Sequence, residues 1–150
     1  LLSRFSYAFK QPEGSAYPPI LQLNHIEGPV TVDGAGGQIE FTPFEVAHGQ
    51  ITALGFRIGP VAYLPDVSAM PPAAWEALAG IDCWILDALR RDPHPSHSHL
   101  AQSIEWIDQS NVARAVLTNM HNDLDYATLQ VELPKHILPA FDGMVLSYDL

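Results

Sequence analysis

Four predicted strands each end in a histidine or an aspartate, the residue types that bind metal ions or move protons. These residues are His48, Asp66, Asp87 and His121. In layered α/β folds, functional groups collect where strands give way to loops, because the sheet fixes their relative positions while the loop leaves them accessible. Imidazole and carboxylate together suit zinc, manganese or iron, and a carboxylate can bridge two ions. The pattern therefore predicts a metal site at one edge of a sheet.

Each of these residues also has a purely structural interpretation. A single histidine after a strand is more often a hydrogen-bonded structural residue than a ligand. Asp66 precedes a proline-led helix, so it could equally cap a helix or a turn. For Asp87 a turn cap is the leading interpretation. Residue type alone leaves these alternatives open.

A second concentration of imidazoles lies in the segment 93–99, which reads Pro-His-Pro-Ser-His-Ser-His. His97 and His99 have the spacing that begins a metal-binding box, but no Asp-His pair follows them. The segment is therefore not a complete ligand set. Ser96 and Ser98 could instead cap the helix that follows.

The glycine-rich segment 33–37 could be compared with a phosphate-binding loop. It lacks the Lys-Ser/Thr ending of such loops and lies between two predicted strands rather than before a helix. Asp-Gly between strands is typical of a tight hairpin turn. The sequence predicts a hairpin here.

The elements that must position these residues change in character along the chain. Up to Asp66 the sequence predicts short strands joined by turns, and Pro43 requires a strand edge or a bulge. After Asp66, strands alternate with helices. Predicted strands cover 20–23, 39–46, 51–58, 61–64, 81–86, 113–117 and 144–148, and predicted helices cover 71–80, 99–110 and 126–133. This order predicts a mixed α/β (α+β) domain, one mixed sheet with helices on one face.

Composition narrows the classes of function. With 150 residues, of which 47% are apolar, the chain is long enough for one domain with its own core. The single Cys83 cannot form an internal disulfide, so we expect a buried, inert thiol and a cytoplasmic protein. The net charge of −10, with scattered basic residues, disfavours nucleic acid as a partner. No apolar run reaches the roughly 18 residues that a membrane span requires.

Six segments, taken in order, resemble the metallo-β-lactamase fold family. The resemblance is closer to its phosphodiesterase branch, which includes the cyclic phosphate phosphodiesterase of phosphonate breakdown. The segments are 46–49 (Val-Ala-His-Gly), 63–68 (Tyr-Leu-Pro-Asp-Val-Ser), 87–90 (Asp-Ala-Leu-Arg), 93–97 (Pro-His-Pro-Ser-His), 117–126 (Leu-Thr-Asn-Met-His-Asn-Asp-Leu-Asp-Tyr) and 141–144 (Phe-Asp-Gly-Met).

This resemblance implies an αββα sandwich with a dinuclear site for Zn²⁺ or Mn²⁺ at one edge of its two sheets. It implies that His48, Asp66 and His121 bind the metals, with Asp66 bridging both ions. His97 would lie over the substrate phosphate and stabilise its charge or protonate the leaving oxygen. The remaining two site residues, Asp87 and His94, would support the ligands or contact the substrate. The implied reaction is hydrolysis of a small or cyclic phosphodiester, with the cations activating the attacking water.

Two features depart from the family. The family's His-x-His-x-Asp-His signature is absent from these residues. We therefore expect a single domain, residues 1–150, that is the C-terminal portion of a metallo-β-lactamase-like domain and is inactive alone. Many relatives place the last ligand directly after Leu-Thr, where this chain has Asn119. Since side chains two apart on a strand share a face, His121 is predicted to replace that ligand.

Two other functions stay open. One is another hydrolase of the same fold: a transfer-RNA processing nuclease, a thioester hydrolase or a lactamase. The other is an inactive module that buries an exposed apolar face by forming a homodimer. Metal bound at the predicted ligands would favour an enzyme, whereas an apolar dimer without metal would favour the module.

Overall fold

Seven strands form one sheet in which the order across the sheet is the order along the chain. The computed structural model describes residues 2–149. Within them the strands are β1 (Val30–Gly34), β2 (Gly37–His48), β3 (Ile51–Ile58), β4 (Val61–Leu64), β5 (Cys83–Asp87), β6 (Arg114–Thr118) and β7 (Ile137–Pro139). The helices are α1 (Ser6–Phe9), α2 (Pro72–Ala77), α3 (Leu100–Ser110) and α4 (Tyr126–Glu132).

The sheet changes from antiparallel to parallel at β4. Strands β1 to β4 pair antiparallel, and β4 to β7 pair parallel, with Leu64 opposite Leu86 and Leu86 opposite Leu117. The carboxyl ends of β4, β5 and β6 therefore meet at one edge of the sheet. Loops that leave this edge can bring their side chains together, as the sequence predicts.

The core lies around the parallel strands. Trp84, Leu86 and Leu117 are fully buried in one apolar cluster with α2 residues and with Ile107 of α3. Burying one such side chain contributes about 1.5–3 kcal/mol, so this cluster makes β4 to β6 the rigid part of the sheet. The predicted mixed α/β architecture is confirmed, and it matches the fold expected from the resemblance.

Most predicted elements are found close to their predicted positions. The hairpin at 33–37 is present, since Gly34 pairs with Gly37 across a two-residue turn. Pro43 lies in β2 beyond Phe41, the last β2 residue that pairs with β1, so β2 has a neighbour on only one side there. Helix α2 stops before Gly80, whose φ of 71° continues no right-handed helix.

Two predicted strands are wrong. Residues 20–23 form no strand, because the backbone N–H groups of Ile20 and Leu21 donate to the Ala8 carbonyl instead of pairing with a neighbouring strand. Residues 144–148 are also irregular, and the last strand is the unpredicted β7. Its three residues end in a proline, which conceals a strand in a sequence pattern. Nowhere in residues 2–149 is there a helix long and apolar enough to cross a membrane.

Candidate functional site

Three side chains converge at the carboxyl edge of the parallel strands. His48, Asp66 and His97 each offer one ligand atom, and these atoms lie within 4.8 Å of one another. His48 ends β2, Asp66 follows β4, and His97 lies in the loop between β5 and α3. The loop that carries Asp66 is tied to β2, since the Ser68 N–H donates to the Ala47 carbonyl at 2.8 Å.

The orientation of His48 is set by its backbone acceptor. His48 Nδ1 lies 2.6 Å from the Ser96 carbonyl oxygen. Because a carbonyl can only accept, Nδ1 carries the proton, and Nε2 of the neutral ring keeps its lone pair for a ligand. The close approach also requires the next residue to be small: Gly49 has a φ of 64°, and an added Cβ would lie 3.0 Å from Ser96 Cβ.

His97 is held by a buried carboxylate. Its Nδ1 lies 2.9 Å from Asp87 Oδ2 and 3.7 Å from Asp66 Oδ1. Asn119 Nδ2 is also 3.4 Å from this nitrogen, but a nitrogen that donates to Asp87 cannot accept from Asn119. The shorter contact decides, so Nδ1 carries the proton and the lone pair of the neutral ring is on Nε2.

Asp87 is fully buried, which makes it the most constrained charged group of the site. Burial raises the pKa of its carboxyl group, while His97, the Val67 N–H and Asn119 lower it in part by donating hydrogen bonds. These contacts rule out the interpretation of Asp87 as a simple turn cap. A carboxylate that holds the far nitrogen of an imidazole orients the ring and increases its basicity.

The backbone of Asp87 is fixed by two serines. Ser98 Oγ and Ser103 Oγ donate to the Asp87 carbonyl at 2.8 and 2.7 Å, and both serines are buried. The alternative role of Ser96 or Ser98 as a cap of the next helix is wrong, because His99 is the N-cap of α3 and no side chain caps it. Asp66 caps no helix either, since α2 begins after Pro71.

His94 lies next to the cluster without being part of it. Its ring centroid is 5.2 Å from that of His97, and its Nδ1 accepts the Ser96 N–H at 3.3 Å. Partial burial lowers the pKa of His94, and the nearby Arg90 and His97 lower it further. A neutral ring whose Nδ1 accepts must carry its proton on Nε2, where it can donate.

His121 is not brought to the cluster. Strand β6 ends at Thr118, and Asn119 has a φ of 60°, so the two-residue alternation of a strand does not extend to His121. The His121 side chain is 61% exposed, with Nδ1 3.2 Å from Asp123 Oδ1. Asn119 points to the site instead, donating to the Pro65 carbonyl and to Asp87 Oδ1 at 3.3 Å each. The same-face argument is therefore wrong, and the ligand role of His121 stays a prediction.

The sequence did not reveal all of this arrangement. Asn119 entered only as the position where relatives carry a ligand, and Ser103 has no sequence signal because a buried serine in a helix resembles any other. The contacts of both residues depend on which strands are neighbours.

The donor set suits a divalent cation. His48 Nε2 and an Asp66 oxygen are of the types that Zn²⁺ and Mn²⁺ accept, and the Asp66 side chain is 47% exposed and so accessible. The ring of His97 lies against that of His48, with centroids 4.6 Å apart. This part of the chain can hold a cation and place an imidazole beside it.

Comparison with known proteins identifies the family of the chain. The profile of the beta-lactamase superfamily domain matches residues 1–120. The chain belongs to this superfamily. Its fold is therefore the metallo-β-lactamase fold, as the resemblance implies, and the family is one of hydrolases.

Individual relatives extend the comparison. A crystal structure of a diphosphatase from the PhnP family is 31% identical, with a TM-score of 0.83, over 100% of this chain and 55% of that chain. Zn²⁺-bound PqqB from Methylobacterium extorquens is 16% identical, with a TM-score of 0.61, over 83% of this chain and 55% of that one, which shows the fold alone. An octanoyltransferase from Porphyromonas gingivalis (strain ATCC BAA-308 / W83) is 30% identical over an alignment of 146 residues that covers 94% of this chain and 28% of that protein. This chain thus spans about half the length of the matched structures.

Proposed function

We propose that the chain supplies part of the active site of a phosphodiesterase, in which His48 and Asp66 hold a divalent cation and His97 acts on the phosphate. The convergence of these three side chains carries the proposal. Membership of the superfamily and the likeness to a diphosphatase support chemistry at phosphorus. Zn²⁺ or Mn²⁺, as one ion or a pair, would supply positive charge and lower the pKa of the attacking water.

The charge of the chain favours a cation at a site for such a substrate. The chain has 17 acidic and 7 basic residues, and a bound cation would offset the repulsion between this negative charge and a phosphodiester. Arg90 lies close enough to His94 to lower the pKa of that imidazole, and its guanidinium donates to the carbonyls of Asp92 and Pro93. Arg90 therefore serves mainly to fold the loop that carries His94.

His97 has a defined route for one proton. Asp87 keeps the Nδ1 proton in place, so the proton that is exchanged with the substrate is held on Nε2. The protonated ring can pass that proton to the leaving oxygen and return to the neutral tautomer that the geometry favours. His94 would donate from Nε2 to a non-bridging phosphate oxygen and thereby orient the substrate.

The rival functions have less support than phosphodiester hydrolysis. The octanoyltransferase matches over only 28% of its length, so octanoyl transfer is not carried over to this chain. A transfer-RNA nuclease would benefit from a basic surface, which the net charge of −10 disfavours. Thioester and lactam hydrolysis are best separated from phosphodiester hydrolysis by assay.

The test measures the rates at which the full-length gene product, loaded with Zn²⁺ or Mn²⁺, hydrolyses four substrates. We expect bis-p-nitrophenyl phosphate to be hydrolysed faster than p-nitrophenyl phosphate, a chromogenic cephalosporin or an acyl thioester. Asp66→Asn should lower the phosphodiesterase rate by at least about a hundredfold, as loss of a metal ligand does. Asp82→Asn, an equal change at the opposite, amino end of β5, is the control and should retain the rate. Preferential turnover of the thioester or the cephalosporin would refute the proposal.

A further inference from the structure

A cavity lies beside the site, along the same edge of the sheet. It has a volume of about 580 Å³ and is bordered by residues that follow β6, 118–120, and residues that follow β7, 140–144. In sheets with parallel strands, ligands bind outside the carboxyl ends of the strands. The volume is within the range of about 300–1,000 Å³ that small-molecule sites occupy.

Asn119 borders both the cavity and the cation site. Its backbone follows the last residue of β6, and its side chain donates to Asp87 and to the Pro65 carbonyl. A molecule whose phosphate lies against His97 therefore has space on the other side of Asn119 for its organic part. The two regions are adjacent parts of one binding surface.

The lining indicates what the cavity would accept. Phe141 is 54% exposed, and its ring stands edge-to-face on Tyr126, with centroids 6.0 Å apart and an interplanar angle of 83°. The contact with Tyr126 fixes the Phe141 ring, and the remaining surface of that ring is exposed to solvent. Met144 adds a polarisable thioether, which packs well against aromatic groups. An exposed but immobilised aromatic ring next to a reactive site is a stacking platform.

The same lining disfavours the phosphate itself. Asp142 borders the cavity, and its carboxylate would repel a phosphate oxygen. The phosphate is therefore directed to the cation site, and an uncharged group to the cavity.

We infer that this cavity takes a flat aromatic group of the phosphodiester, stacked on the ring of Phe141. The inference rests on the proposed phosphodiesterase function and adds the class of substrate: phosphodiesters that carry at least one planar aromatic group, such as an aryl ring or a nucleobase. Phe141 is then the residue that determines specificity, whereas the affinity of the cation site for the phosphate does not depend on the aromatic group.

The experiment measures competitive inhibition of bis-p-nitrophenyl phosphate hydrolysis by phenyl phosphate and by methyl phosphate. Phe141→Ala should raise the inhibition constant of phenyl phosphate by about tenfold, the loss expected for one stacked ring, and leave that of methyl phosphate unchanged. Phe141→Tyr keeps the ring and should behave as the unmodified protein. Val131→Ala is the control, because Val131 is 86% exposed on α4 and does not border the cavity.

The outcomes separate this inference from the function on which it rests. Equal effects of Phe141→Ala on both inhibitors, or no effect on either, would overturn the aromatic cavity while the phosphodiesterase function stands. Absence of phosphodiester hydrolysis in the unmodified protein would refute the function. Calorimetric titration of phenyl and methyl phosphate would then still test the cavity, and equal affinity for the two would overturn it. Unchanged thermal unfolding of Phe141→Ala, expected for a half-exposed residue, excludes misfolding as the cause.

Discussion

The carboxyl edge of the parallel strands and the first 34 residues are built in opposite ways. At that edge Asp87 is fully buried and its carboxylate and carbonyl together accept hydrogen bonds from Val67, His97, Ser98 and other residues. In the first 34 residues, Tyr17 is 82% and Ile20 78% exposed, and every residue of β1 is exposed. Large apolar side chains are thus exposed to water in the first region, while a charged side chain is enclosed at the carboxyl edge of the parallel strands.

This difference in burial shows which parts of the structure are held in place by contacts within the chain. The positions of the site residues depend on the buried cluster around β4 to β6 and on hydrogen bonds within the chain, so the site edge is determined locally. The described part of the first region, residues 2–34, contributes no residue to that cluster, and only Ala8 within it is buried. Substitutions in the two regions should therefore differ in their effect on stability.

The largest difference in the free energy of unfolding is expected between substitutions of two leucine-sized side chains. Leu117→Ala removes a fully buried side chain from β6 and should lower the free energy of unfolding by about 2–5 kcal/mol, because a cavity remains. Ile20→Ala should change it by less than about 0.5 kcal/mol, since Ile20 is exposed. Urea denaturation followed by tryptophan fluorescence measures both. A loss above 1 kcal/mol for Ile20→Ala would show that the first residues are covered in solution.

The next largest difference in stability is expected between substitutions at two glycines. A Cβ added at Gly55 in β3 would clash with the ring of Phe44 and lie 3.0 Å from Leu64 Cδ1. Gly55→Ala should therefore destabilise by about 1–3 kcal/mol through overpacking. Gly28→Ala, where a Cβ meets nothing within 4 Å, is the matched control and should be neutral. Equal thermal midpoints for the two variants would contradict the packing of β3 against Phe44.

A smaller effect is expected at a serine that holds the site. Ser103→Ala removes one of the two hydroxyl donors to the Asp87 carbonyl and should cost about 1 kcal/mol, because Ser98 still donates. Ser3→Ala, at an exposed position in the first residues, should cost nothing measurable. Chemical denaturation of the two variants side by side makes the comparison. A larger loss for Ser3 than for Ser103 would reverse the assignment of the rigid region.

The smallest effect depends on pH. Asp125 caps α4, and hydrogen bonds from the Thr128 hydroxyl and N–H lower the pKa of its carboxyl group below the ordinary value of 3.8. An acid whose pKa is lower in the folded state contributes stability above pH 3.8 and loses it as the pH falls through the folded value. Asp125→Ala should be less stable than the unmodified protein at pH 7, and the gap should narrow towards pH 2. A gap that is constant over this range would refute the charged cap.

Prediction and structure agree best for residues that the apolar pattern of a single strand is enough to place. The positions of His48, Asp66 and Asp87 at strand ends followed from apolar runs that stop at polar residues. The same-face argument for His121 failed because β6 ends at Thr118 and the left-handed backbone of Asn119 breaks the two-residue alternation of the strand. The strand at 20–23 failed because an apolar pattern does not say whether a partner strand is present. Asn119 and Ser103 act on Asp87 across separate elements, and no spacing within one segment encodes such contacts.

At this edge His48 and Asp66 are proposed to hold a divalent cation, and the exposed His121 lies outside the cluster that they form with His97. Competition with a chromogenic chelator gives the Zn²⁺ affinity of the unmodified protein and of three variants. We expect His48→Ala and Asp66→Asn each to weaken Zn²⁺ binding by at least about tenfold, whereas His121→Ala should leave it nearly unchanged. Zn²⁺ binding that survives both of the first two substitutions, or that is lost with His121→Ala alone, would contradict the proposed cation site.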